Sequence, residues 1–183
     1  MTDMSRSGYV LALVIVLFSG IAMADDLLHR DWRLITDGVM GGVSAGQLGR
    51  AQVDGRDCLH LQGAVSTRNN GGFLQMALDL DSADRAGLAA AGGLELSVSG
   101  NGEAYNLHLR TADLWLPWQA YRSTFHADPG WHTLRIPFDR FTPYRTGKPL
   151  RKERLERLGV VAIGRDFQAD LCVGAMRFYA AGE

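Results

Sequence analysis

Cysteine, proline and net charge are all scarce in these 183 residues: two cysteines, five prolines and a formal charge of −1. Cys58 and Cys172 form no C-x-x-C pair, which removes a redox motif and a structural zinc site. The histidines, His29, His60, His108, His126 and His132, show no H-E-x-x-H spacing, so no metal site is expected. Neither G-x-S-x-G nor S-x-x-K occurs, and no spacing brings two carboxylates together for glycoside hydrolysis. No catalytic residue is nameable, and neither a cofactor nor an enzymatic role is expected. The balance of 19 basic and 20 acidic residues excludes a nucleic-acid binder that works by bulk charge. It also gives no reason to expect attraction to an anionic membrane surface.

A long hydrophobic run is missing too. Tyr9–Ala24 spans 16 residues, short of the roughly 20 that cross a bilayer. Arg6 precedes it, Ser19 and Gly20 break it, and Ala22-Met23-Ala24 forms an A-x-A site before Asp25. Residues 1–24 therefore read as a secretory signal, 25–31 as a short lead and 32–181 as one domain, periplasmic or secreted, with no membrane span after cleavage. In an oxidising compartment Cys58 and Cys172 either pair or stay as two thiols. A bridge would close a loop of about 114 residues, worth about 4–5 kcal/mol in the chain-entropy picture.

What is plentiful is glycine and two-residue alternation. The 22 glycines are about 12% of the chain against an average near 7%, which favours turns over helices. After residue 55, apolar and polar residues alternate in Cys58–Val65, Leu74–Leu80, Leu94–Val98, Tyr105–Leu109, His132–Phe138 and Leu171–Tyr179, and Val160–Ile163 is a short buried run. In this alternation Cys58 and Cys172 both point away from the inward leucines beside them. Asn69-Asn70-Gly71-Gly72, Gly100-Asn101-Gly102 and Asp128-Pro129-Gly130 supply turn chemistry. Helix signals are confined to Asp84–Ala91, worth a turn or two, and Arg151–Leu158, where Glu153 precedes Arg157 by four and leucines recur. The expected fold is all-β, an antiparallel sandwich of jelly-roll type, with a closed barrel as the alternative.

Several segments are candidates for function, each with a structural reading beside it. Asp37-Gly38-Val39-Met40-Gly41-Gly42-Val43-Ser44 is either a close-approach loop, such as a phosphate cradle, or a glycine corner; it lacks the Gly-Lys-Ser/Thr ending of a P-loop. Asn69 and Asn70 either present amides to a ligand or make a hairpin turn. Trp115, Trp118 and Tyr121, near Arg110, form either an aromatic platform for a sugar face or part of the core; Trp32 and Trp131 are expected in the core. Arg145, Lys148, Arg151, Lys152, Arg154 and Arg157 are either a docking surface for an acidic partner or a solvated face.

These motifs, taken in order, resemble the complex I intermediate-associated protein 30 family. Trp32 followed by Asp37–Ser44 resembles its opening signature, and Leu61–Ser66 before Asn69–Phe73 resembles its next strand and loop. Gly93–Gly102 with Tyr105–Arg110 is similar to its central hairpin, and Trp131, Pro137, Phe138 and Phe141 to a later segment. The resemblance covers about 150 residues. Where the family has a Gly-Pro-Phe-like step, this chain has Arg165-Asp166-Phe167. The resemblance implies a galactose-binding-domain-like jelly roll and a non-catalytic binding role. Mitochondrial members are assembly factors for NADH:ubiquinone oxidoreductase that act on the matrix side, whereas an exported chain would lie across the membrane. A protein partner in the envelope, held by a rim of Asp37, Met40, Ser44, Asn69 and Asn70, is the first expectation. A sugar ligand at Asn69, Asn70, Arg110, Trp115 and Trp118 is the second.

Overall fold

Alternating side chains can bury one face only by stacking sheet on sheet. The computed structural model describes residues 26–183 and shows that arrangement; the predicted signal, 1–24, lies outside the described residues. Eleven strands run in chain order: β1 (Arg33–Thr36), β2 (Ala45–Val53), β3 (Arg56–Val65), β4 (Phe73–Asp79), β5 (Ala91–Gly100), β6 (Glu103–Thr111), β7 (Ala120–Ala127), β8 (His132–Pro137), β9 (Thr142–Tyr144), β10 (Leu155–Ile163) and β11 (Phe167–Ala180). They form a six-stranded sheet, β1-β4-β10-β6-β7-β9, and a five-stranded sheet, β2-β3-β11-β5-β8. Every pairing is antiparallel. The fold is a jelly-roll sandwich with two separate sheets, not a closed barrel.

The core lies between the sheets. Leu74, Met76, Leu107, Leu109, Leu158 and Val160 face Leu61, Leu94, Leu96, Leu171, Val173 and Met176, all at 0–1% exposure. The segment before Trp32 joins it: Asp26 caps a 3-10 turn, Leu27–His29, whose two leucines are buried, and accepts from Met176 N on β11 at 3.0 Å. Trp32 packs half-buried against the core, its indole N–H on the Leu27 carbonyl. Trp131 does not sit there. It lies against Gly174, where a Cβ would come within 2.8 Å of the ring, and donates to Val53 O. The glycine leaves the space that a large indole fills outside the core.

Cys58 and Cys172 are joined in a disulfide, both nearly inaccessible. Their neighbours Leu59 and Val173 pair across β3 and β11 with side chains inward, so the bridge lies on the face turned from the core.

The predicted helix at Arg151–Leu158 is not one. Lys152–Arg154 makes a single 3-10 turn, and β10 begins at Leu155. The register shifts between Leu155 and Arg157. A bulge adds one residue to the alternation, so Leu155 and Leu158, three apart, both point inward as they would on a helix. Arg157 pairs with Asp79 on the neighbouring strand, not with Glu153. The other predicted helix, Asp84–Ala91, is displaced and shorter: α1 runs Ser82–Ala86, opened by a capping box between Asp81 and Asp84, and β5 begins at Ala91. Alternation did not reveal β1, β2, β7 and β9. β2 and β9 are edge strands with mostly exposed residues, where no pattern of burial is imposed.

Candidate functional site

The two glycine-rich motifs meet at one end of the sandwich. After β1, Asp37–Met40 forms a 3-10 turn, started by Thr36 Oγ1 accepting from Gly38 N and ended by Gly41 in the left-handed region (φ 85°). Asp37 is fully buried. Its carboxylate accepts from Ser44 N (3.0 Å), Ser44 Oγ (2.5 Å), Gly72 N (2.5 Å) and Phe73 N (3.3 Å). Burial by itself would raise its pKa, but these hydrogen bonds together outweigh it and hold the group below the usual carboxylate range. A Cβ on Gly42 would lie 2.7 Å from Asp37 Cβ, and one on Gly71 2.9 Å from Asp37 Cγ. One glycine of each motif, Gly42 and Gly71, is therefore required by close packing on one carboxylate. Ser44 Oγ also accepts from Ser66 N at 2.9 Å, which stitches the second loop to the first.

This knot settles where the predicted rim residues lie. Asp37 and Ser44 are inside it and hold the rim's shape without reaching its surface. Outside stand Val39 (75% exposed), Met40 (58%) and Val43 (39%), with Asn69 and Asn70, both exposed and both at positive φ, on the adjoining loop. Val39 and Val43 were not singled out by sequence, because a valine between glycines carries no sign of exposure. At the same end Asp166 accepts from Thr67 N and Oγ1, and Arg165 pairs with Glu103 and stacks 4.0 Å from Phe167. The Arg165-Asp166-Phe167 step is thus tied to its neighbours.

At the other end Arg110, Trp115 and Trp118 come together. Arg110 pairs with Arg157 and Phe73 with Ile163 across their strands, six residues apart on β10, so about 20 Å separates this site from the Asn69–Phe73 loop. The five residues predicted for one sugar site are split between two ends. Arg110 Nη1 donates to the carbonyls of Leu116, Pro117 and Gln119, and Gln119 Oε1 accepts from Trp115 N and Leu116 N at 3.1 Å. The loop is held from within. Tyr121 is fully buried, while Trp115 is 84%, Trp118 50% and Leu116 43% exposed. Lys148 Nζ lies 5.6 Å from the Trp115 ring centre and donates to Asp113 O. Arg151 and Arg154 pair with Asp113, whose pKa they depress.

Beside this loop, on the outer face of the six-stranded sheet, is a groove of about 340 Å³ lined by Asp79, Leu80, Arg85, Arg110, Glu156 and Arg157. Asp79 bridges Arg33 (2.6 Å) and Arg157 (2.5 Å). Further along that face His108, flanked by Arg122 and Tyr144, is held neutral: burial first, then the Arg122 charge, pushes its pKa down to about 4. Among the described residues no cluster of His, Cys, Asp or Glu is arranged to hold a metal, and no helix is long and apolar enough to cross a membrane.

Residues 22–168 match the family described as complex I intermediate-associated protein 30. The chain belongs to that family. The matched span includes both loops joined by Asp37. No curated protein matches the sequence. Among solved structures, the family 11 carbohydrate-binding module of a cellulosomal cellulase of Clostridium thermocellum is similar over 86% of this chain and 96% of that one (TM-score 0.68, 10% identity). The same organism's family 11 module in complex with a β-1,3-1,4-mixed-linked tetrasaccharide is similar over 82% and 89% (TM-score 0.65, 12% identity). Its family 30 module is similar over 86% and 99% (TM-score 0.56, 12% identity). At these identities the likeness extends to the sandwich and no further.

Proposed function

We propose that this member of the family is a non-catalytic binding domain of the cell envelope that holds a protein partner on the Asp37 rim. The observation that carries the reading is Val39, Met40 and Val43 exposed together on a corner locked by a buried carboxylate. Such a patch is costly in water and is relieved when a partner covers it. Methionine adapts to an irregular surface, and a pre-ordered corner loses little entropy on binding. Asn69 and Asn70 add amides for hydrogen bonds at the patch border. The leader-like residues 1–24 and the Cys58–Cys172 bridge support a periplasmic or secreted location. An exported chain lies across the membrane from the side on which mitochondrial members act, so the partner we propose is an envelope protein. The test is co-purification of the tagged mature chain with and without Val39→Asp and Met40→Asp. The reading expects reproducible partners lost in both variants at unchanged melting temperature; the same partners in wild type and variants would refute it.

A glycan ligand is the second reading. It is favoured by the groove at Arg110, where guanidinium and carboxylate groups line one face, and by the bound tetrasaccharide in a module of like fold. Calorimetric titration with soluble β-glucans, repeated with Arg157→Ala, tests it; no heat with any glucan would remove it.

A further inference from the structure

The loop at the far end from the rim has the chemistry of a membrane-surface anchor. We propose that Trp115, Leu116 and Trp118 insert into the interface of an anionic bilayer while Arg145, Lys148, Arg151 and Arg154 face its headgroups. This goes beyond the partner-holding reading and does not rest on it.

Three observations carry it. First, the apolar side chains are the exposed ones: Trp115 is 84%, Trp118 50% and Leu116 43% accessible on a loop at the end of the sandwich. Indole rings favour the headgroup level of a bilayer, where an apolar body and a polar N–H are both accommodated. Second, the loop is pre-ordered. Arg110 clamps three of its carbonyls and Gln119 takes two of its N–H groups, so insertion orders little that was mobile. Third, the cations gather here although the whole chain is nearly neutral. Lys148 stands over Trp115, Arg145 follows Tyr144 with its carbonyl bonded to Gln119 Nε2, and Arg151 and Arg154 are 50% and 44% exposed. They outnumber the nearby acids Asp113 and Glu153. Net charge gives no reason to expect membrane attraction; the proposal rests on the local cluster.

A sugar at these rings would need hydrogen-bonding groups free to meet its hydroxyls. Those nearest are already used within the protein: Arg110 on carbonyls, Gln119 on three backbone groups, Lys148 on Asp113 O, and Asp113 on two arginines. A bilayer asks only for apolar area and positive charge.

The mature chain is tested by flotation with large unilamellar vesicles of phosphatidylcholine containing 30% phosphatidylglycerol, and by tryptophan emission. The proposal expects flotation with a blue shift, weaker on pure phosphatidylcholine and weakened by salt. Trp115→Ala with Trp118→Ala lowers vesicle affinity at least tenfold at unchanged melting temperature. Arg145→Ala and Lys148→Ala each lower it about fivefold. Flotation equal in wild type and the double tryptophan variant would overturn it. So would failure to float on the anionic vesicles; an emission shift on soluble β-glucan would then give the loop to a glycan.

Discussion

Asp37 shows how far a single residue can be read from sequence. The motif around it is conspicuous for glycine, and its aspartate looks like a group offered to a ligand. Its bonding partners Gly72 and Phe73 lie 35 and 36 residues away, and nothing local announces them. Gly71 leaves room for a carboxylate that only the fold brings in. Asp37→Asn replaces one accepting oxygen by a donor that faces N–H groups, and should cost about 2–4 kcal/mol in urea unfolding. Gly42→Ala, pressing a methyl on the same carboxylate, should cost about 1–3 kcal/mol. If Asp37→Asn and Gly42→Ala both unfold at the wild-type urea midpoint, the knot is not what holds the rim. His108 gives the residue-scale prediction for pH. Its pKa is about 4 in the fold against an ordinary 6.5, so the unfolded chain takes up its proton first as pH falls. The stability it contributes is complete above pH 6.5 and is lost as pH falls towards 4. The urea midpoint should decline over that range, and His108→Gln should flatten the decline; an identical slope in the variant would contradict the assignment.

At the scale of elements, alternation located the sandwich because burial is imposed on each central strand every second residue. It failed where that constraint lapses or slips. The exposed edge strand β2 shows no pattern, and the bulge in β10 moves Leu155 and Leu158 into helical spacing. The Trp115–Trp118 loop was legible as an aromatic cluster, but its exposure was not, because the buried Tyr121 and the exposed tryptophans share one short segment. What orders that loop is side-chain bonding from Arg110 and Gln119 to backbone. Gln119→Ala removes the acceptor for Trp115 N and Leu116 N, and amide exchange at those two positions should quicken at least tenfold while β6 and β7 stay protected. Unchanged exchange would show that the loop is ordered by something else.

At the scale of the molecule, two sheets and one disulfide fix two ends that face opposite ways. The bridge spans 114 residues and joins β3 to β11 in the five-stranded sheet. Cys58→Ala with Cys172→Ala should lower stability by about 4–5 kcal/mol, and the native protein should resist reductant until it opens, because both sulfurs are buried. Rapid reduction without denaturant would contradict that placement. Residue alternation made the sandwich predictable, but pairing of the cysteines was left open, since alternation gives only the face on which each thiol stands. If both proposals hold, the rim at one end and the tryptophan loop at the other would let the domain link a partner to a surface. The most direct test places a photo-crosslinking residue at Met40 of the full chain expressed in its own cells, with the exposed Thr124 as control. The account predicts a discrete protein adduct from position 40, weakened by Asp37→Asn. A yield at position 40 no greater than at position 124 would contradict it.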